Sequence, residues 1–267
     1  MLRDITFGQF FPGKSFIHRL DPRMKLLLTV LYVVMLFLVP RFLGFAAVGV
    51  LVLLVVLLSR IRLKVVLRGL KPLLFIVVFT ALFNVLYGGG EPLFPHVAWL
   101  GWLKTEGVRN AAFMILRILL LILGTSYLTY TTSPVMLTDA LERLMRPLKV
   151  FRFPVHELAM MMTIALRFIP TLIDETDKII NAQKARGADF ETGNVIRRAK
   201  ALIPILIPLL ISSFRRAEEL ADAMECRCYQ GGKGRTRFKV YSLGWRDWVA
   251  LAVVLAVFAA IILLRIV

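Results

Sequence analysis

Residues Phe42 to Ser59 read FLGFAAVGVLVLLVVLLS, seventeen apolar residues closed by a serine. As a helix this run rises about 27 Å, close to the roughly 30 Å of a bilayer's hydrocarbon core. Within lipid no water is available to the peptide groups, so a single segment satisfies its own backbone only as an α-helix. The run therefore sets the class as an all-α polytopic membrane protein. Composition agrees: 58% of the 267 residues are apolar and 19% are charged, against about 25% charged in soluble domains.

Four further stretches extend this reading on either side. Met24 to Val39 is short and ends at Pro40; Leu70 to Tyr87 ends before Gly88, Gly89 and Gly90; Val108 to Tyr130 follows; Asp247 to Leu264 lies between Trp245 and Trp248 at one end and Arg265 at the other. Aromatic and long basic side chains at span ends suit the membrane interface. The N-terminus, with Asp4 and Gln9 and no apolar core before a small-residue site, does not read as a signal peptide.

The net charge is +17, and the basic residues are distributed by loop. Arg3, Lys14, Arg19, Arg23 and Lys25 precede the first span; the first loop has Arg41; the second has Arg60, Arg62, Lys64, Arg68 and Lys71; the third has Lys104 and Arg109. The fourth connection, Thr131 to Arg246, carries 19 basic and 12 acidic residues. Because cytoplasmic loops hold the excess of Lys and Arg, five spans place the N-terminus inside and the C-terminus outside. A nucleic-acid role for the charge would require salt-sensitive binding to RNA or DNA.

The fourth connection is too long for an unstructured loop. Ser133 with Pro134 opens one helix running to about Leu144. A second runs from Pro154 to Gly187 and a third from Asn194 to about Tyr229. In the two long helices Leu158 to Leu172 and Ala201 to Phe214 are apolar, interrupted by Pro170 and by Pro204 with Pro208, while Asp174 to Arg186 and Arg215 to Arg227 are charged. The apolar middles read as packing surfaces for membrane helices or a partner; reading them as two further short spans leaves the orientation unchanged. The expected organisation is 1–131 (leader and four spans), 132–244 (helical unit) and 245–267 (last span).

Gly8 to Ser15 matches the phosphate-loop pattern G-x-x-x-x-G-K-[ST] letter for letter. That motif works only between a buried strand and a helix whose N-terminus faces the phosphates. Seven residues precede Gly8, and Pro22 stands before any following helix, so a membrane enzyme acting on nucleotide through residues 8–15 is the distant alternative. Cys226 and Cys228, two apart on a helix, are expected to point to different sides and not to chelate metal with His18, His96 or His156. Arg117, inside a span, is expected to snorkel or to pair within the bundle, with substrate contact the other reading. Asn84 is expected to hydrogen-bond between helices.

The long helices end alike, in Lys184-Ala185-Arg186-Gly187 and Glu225-Cys226-Arg227-Cys228. A planar guanidinium between small neighbours can enter a cleft and bond several acceptors at once, so the repetition points to two similar clefts on a partner. Acidic residues near the tips, Asp174, Glu175 and Asp177 on one helix and Glu218, Glu219 and Asp222 on the other, could position basic groups of a partner, but most read as solubilising i,i+4 partners.

Taken with the leader Ser15 to Leu26, the segment Ala165 to Pro170, Gln183 to Ala188 and Glu218 to Tyr229, the whole chain resembles the transmembrane T subunit of energy-coupling factor transporters, EcfT, a relative of the CbiQ subunit of cobalt importers. The family carries Ala-Arg-Gly signatures on two cytoplasmic coupling helices. Ala185-Arg186-Gly187 fits, whereas Cys226-Arg227-Cys228 keeps the arginine and replaces both neighbours. The resemblance implies a multi-pass protein of a prokaryotic cell membrane that joins two ABC-type ATPases (EcfA and EcfA' type) to a membrane-embedded S subunit holding a vitamin, or cobalt or nickel in the CbiQ variant. It implies no cofactor in this chain, ATP and Mg being held by the ATPases. Arg186 and Arg227 would dock the ATPases, and Met160, Met161, Met162, Pro204 and Pro208 would contact the S subunit.

Overall fold

A computed structural model describes residues 10–89, 104–188, 190, 194–231 and 241–266. Gly8 and Gln9 of the phosphate-loop match, most of the third loop, and the linker residues 232–240 lie outside the described residues. Eight α-helices are present among those described: α1 Pro22–Leu38, α2 Phe42–Ser59, α3 Leu63–Tyr87, α4 Thr105–Thr131, α5 Pro134–Leu144, α6 Val155–Ala185, α7 Val195–Glu225 and α8 Trp245–Ile266. A 3-10 turn, Arg146–Phe151, separates α5 from α6. The chain forms two compact units, one of residues 10–140 with 241–266 and one of residues 141–231, the boundary falling within α5.

Among the described residues five helices are long and apolar enough to cross a membrane: α2, residues 69–87 of α3, α4, α6 and α8. The number matches the expectation but the set does not. Helix α1 has 17 residues, about 25 Å, at the short limit for a span. Helix α6 was expected to be too short in its apolar part, yet it continues unbroken through Pro170 for 31 residues; its hydropathy of 1.3 is the lowest of the five. Outward-facing side chains on α2 and α3, such as Leu57, Phe75 and Phe79, are apolar, as a lipid-facing surface requires.

In the first unit α4 packs against α1, α2 and α3, and α8 packs against α1 and α2. Tyr32, Met35, Val48, Val52, Tyr127 and Ile261 belong to the buried cluster between them. The Tyr32 hydroxyl donates to the Leu120 carbonyl at 2.5 Å, as a buried phenol must find an acceptor. Arg117 lies with its guanidinium 5.8 Å from the Phe37 ring and 5.9 Å from the Phe45 ring. Its charge is thus held inside the bundle by aromatic faces. Asn84 departs from expectation: its amide donates to Thr80 O of its own helix at 2.9 Å.

The helix ends meet in a polar knot. Asp21 caps α1 by accepting from Arg23 N at 2.9 Å, and gives its own N–H to Asp247 Oδ1 at 2.8 Å. The second oxygen of Asp247 accepts from Gly244 N at 2.8 Å, the reach-back of a capping box. The Lys25 ammonium donates to Thr131 O at 2.9 Å, Thr132 Oγ1 at 3.3 Å and His18 O at 3.4 Å, and Phe11 N donates to Tyr130 O at 3.0 Å. The last carbonyls of α4, which its own helix leaves unpaired, are satisfied in this way.

The leader is folded on His18. Its Nε2 donates to Phe11 O at 2.9 Å, a carbonyl that can only accept. Nδ1 of the neutral ring therefore accepts from the Ser15 hydroxyl at 2.6 Å. A Cβ on Gly13 would stand 2.8 Å from His18 Cε1, so glycine is needed there for the ring. Gly13, Lys14 and Ser15 run without regular structure and lead through a turn to α1, not to a helix N-terminus as a phosphate loop does.

Two predictions follow from this arrangement. Lys25→Met strands the Thr131 carbonyl and is expected to cost about 3 kcal/mol, read as a lowered unfolding midpoint in detergent, whereas Lys14→Met on the exposed leader leaves the midpoint unchanged. His18 is held below the usual imidazole range by burial first; the Phe11 carbonyl raises it and the Lys25 charge lowers it further. The unfolded chain then takes up its proton first, so stability is complete above about pH 6.5 and declines as pH falls towards the folded value. Wild type is expected to lose midpoint between about pH 7.5 and 5.5, and His18→Gln to lose less.

Candidate functional site

The two long helices of the second unit close with the same hydrogen bonds. At the end of α6, Arg186 N and Ala188 N both donate to Gln183 O, at 3.1 and 3.0 Å, and Gly187 N donates to Lys184 O at 3.0 Å. At the end of α7, Arg227 N and Tyr229 N donate to Met224 O, at 3.1 and 3.0 Å, and Cys228 N donates to Glu225 O at 2.8 Å. Each is a Schellman closure, which turns on one residue in the left-handed region. That residue is Gly187 at φ 85° and Cys228 at φ 55°. Arg186 and Arg227 hold the same place, immediately before it, and both are exposed. Because the terminal carbonyls are already bonded, the guanidinium groups are not drawn back to cap them. Among the described residues neither is paired.

The helices run antiparallel. Gln183 Nε2 donates to Pro204 O at 3.4 Å, and Arg216 Nη2 donates to Glu175 Oε2 at 2.8 Å. The Ser212 hydroxyl donates to Glu175 Oε1, and the Arg216 guanidinium lies 5.9 Å from the Phe168 ring. Pro208 has no N–H for the carbonyl of Pro204 four residues before it, and Gln183 supplies the missing donor from α6. By this register Arg186 lies beside residue 201 of α7, roughly 26 residues or about 40 Å along that helix from Arg227. The two arginine tips therefore stand at opposite ends of the pair.

Residues 13–239 match the CbiQ family, described as a cobalt transport protein. The chain belongs to the CbiQ family. It is 53% identical over 268 residues to the energy-coupling factor transporter transmembrane protein EcfT of Clostridium kluyveri, covering 100% of this chain and 98% of that one. It is 54% identical over 241 residues to EcfT of Ruminiclostridium cellulolyticum, covering 90% of this chain and 89% of the relative. EcfT of Lactococcus lactis is 44% identical over 266 residues, with 98% of each chain covered.

Within this CbiQ-family chain, Ala185-Arg186-Gly187 and Cys226-Arg227-Cys228 prove equivalent in backbone geometry although their flanking side chains differ. Cys226 and Cys228 lie in the terminal turn beyond α7, not on the helix where the sequence placed them. Met161 and Met162 are exposed and Met160 is half-buried; Pro204 and Pro208 are exposed. The methionines lie six to eight residues beyond the Phe168–Arg216 contact towards the Arg227 end, while Pro204 sits by Gln183 at the Arg186 end. The structure does not bring the two groups together. Between them α7 exposes Ile203, Leu206, Ile207, Leu210, Ile211 and Phe214, a stripe at i, i+3, i+4 spacing. Glu175 and Arg216 escape a local reading, which pairs charges four apart: Arg215 and Glu219 do approach at 3.9 Å, but with side chains more than 70% exposed.

A non-glycine residue in the left-handed region costs about 1 kcal/mol or more. Cys228→Gly is expected to tighten the α7 closure and Gly187→Ala to loosen that of α6, each by about 1 kcal/mol. Amide exchange should slow about fivefold at Tyr229 in the first variant and quicken about fivefold at Ala188 in the second.

Proposed function

We propose that this chain is the transmembrane scaffold of an energy-coupling factor importer, docking two ABC-type ATPases at Arg186 and Arg227 and carrying their motion to a membrane-embedded S subunit that binds a vitamin-type micronutrient. The observation that carries the reading is the pair of matched, exposed arginine tips at opposite ends of two antiparallel helices. Two identical closures about 40 Å apart suit two similar clefts on two subunits better than one cleft on one subunit. The guanidinium fork can bond several carbonyls or carboxylates of such a cleft at once.

The loop charges support an N-terminus in the cytoplasm, which puts α6 and α7 on the cytoplasmic side where ATP is available. The exposed apolar stripe of α7, with Met161 and Met162, is the surface offered to the S subunit; Met adapts readily to more than one partner. ATP and Mg belong to the ATPases in this reading. The printed description of the family as a cobalt transport protein supports a second reading with cobalt or nickel as cargo. The EcfT names of relatives that match nearly the full chain support the energy-coupling factor reading, to which the vitamin-type cargo is our own addition.

The test is retention of the ATPases by membrane-inserted wild type, Arg186→Ala, Arg227→Ala and the double variant. Loss of a central arginine anchor typically costs 2 kcal/mol or more, so each single change is expected to weaken retention about thirtyfold. The double change should strip the ATPases and stop uptake, while Lys14→Ala should alter neither. Normal assembly and uptake by the double variant would overturn the docking assignment.

A further inference from the structure

Glu175 and Arg216 hold a place in the second unit that local charge pairing does not assign. Their 2.8 Å ion pair joins α6 to α7, with side chains 23% and 28% exposed. Both carboxylate oxygens are engaged, one by Arg216 and the other by Ser212. The guanidinium also faces the Phe168 ring. Glu175 precedes Arg186 by eleven residues, and Arg216 precedes Arg227 by eleven. Both helices are 31 residues long. An offset of 41 residues thus superposes pivot on pivot and tip on tip, and the ion pair bridges two equal arms of about 16 Å whose inner ends lie about one turn apart along the helix pair.

Apolar ridges resist sliding only weakly, because neighbouring registers bury similar area, and packed helices can ratchet by a turn. A charged pair at 2.8 Å distinguishes registers sharply. Displacing α6 along α7 by one turn, about 5.4 Å, breaks the bond and leaves two partly buried charges unpaired. Rotation about the contact leaves the bond in place, since a single N–H···O link with a hydroxyl on the other oxygen has no rigid fork to keep.

We infer that Glu175 and Arg216, steadied by Ser212 and Phe168, form the pivot of a two-armed lever whose ends are the arginine tips. They fix the register in which α6 and α7 lie against each other, so displacement at one tip reaches the other as rotation and is not lost in sliding. They are positioning residues and touch no partner themselves. The inference rests on the docking reading above.

The experiment places spin labels at Asn181→Cys and Asp222→Cys, matched exposed positions each five residues before a tip arginine, with Cys226→Ser and Cys228→Ser. The full chain is studied in nanodiscs with its ATPases bound, with and without ATP. On the parental pair a single narrow label distance should shift as one population on ATP. Glu175→Gln and Arg216→Met should keep the ATPases, broaden the distribution by about one helical turn, 5.4 Å, and abolish the concerted shift. The charge exchange Glu175→Arg with Arg216→Glu should restore both narrowness and shift. Unchanged distributions in the single variants overturn the pivot, as does broadening that the exchange leaves unrepaired, which would mark a packing role alone. If instead the Arg186→Ala, Arg227→Ala variant still retains the ATPases, the docking reading fails, independently of how the Glu175 and Arg216 variants behave.

Discussion

A carboxylate in a membrane bundle is costly unless hydrogen bonds surround it, and Asp247, 3% exposed, is surrounded. One oxygen takes the Asp21 N–H from 226 positions away in the chain, and the other takes the Gly244 N–H at the start of its own helix. This joins the N-termini of α1 and α8, while Lys25, one turn into α1, takes the terminal carbonyl of α4. Two helix N-termini with a carboxylate between them, and a helix C-terminus with an ammonium, are favourable arrangements of charge and dipole. The apolar packing of Met35, Val48 and Ile261 supplies area, but area alone ranks registers poorly among aliphatic helices in lipid. The knot selects one of them. The leader belongs to the same device, since His18 O and Phe11 N reach Lys25 and the α4 terminus. That accounts for Gly13 and Ser15 of the phosphate-loop match, which close on the His18 ring.

The second unit uses polar groups differently. Its helices end in closures that satisfy their own carbonyls, so Arg186 and Arg227 are not consumed as caps. Proline adds a further device. In α7 two prolines remove backbone donors, and the freed carbonyl of Pro204 is met by Gln183. Gln183 is also the residue whose own carbonyl accepts from Arg186 N and Ala188 N in the α6 closure. A proline that would merely kink an isolated helix here creates an acceptor for the neighbouring helix close to a tip.

Most of the architecture could be read from the chain because long apolar runs and caps are local signals. Phe42 to Ser59 reappears unchanged as α2, Ser133 caps α5 through Met136 N at 3.3 Å, and the ends of α6 and α7 fall within a few residues of expectation. The tips were legible for the same reason, as two short motifs at two helix ends. Span choice was less so. Helices α1 and α6 lie near the limits of length and hydropathy, where one proline or a few charges decide composition but not continuity. Asn84 and Cys228 misled because a side chain's partner and a terminal φ are set by the surrounding turn. The contacts Asp21–Asp247, Lys25–Thr131 and Glu175–Arg216 span 226, 106 and 41 positions, and no periodicity carries such information. The equal eleven-residue spacing to each tip was present in the sequence, but it acquires meaning only once Glu175 and Arg216 are known to pair.

Charge compensation separates framework from function in this protein. Asp21, Arg23, Lys25 and Asp247 are buried or half-buried and hydrogen-bond to one another or to the backbone around them; Arg117 is sheathed by two aromatic rings; Glu175 and Arg216 neutralise each other. Such groups can fix register without seeking anything outside the fold. Arg186 and Arg227 are the contrast, exposed cations at the negative ends of two 31-residue helices whose terminal carbonyls already have donors. A helix end that has solved its own hydrogen bonding keeps an arginine in reserve for another surface. The same helices neutralise their charge where they meet and leave it open where they end, which is the arrangement that the proposed docking at the two tips requires.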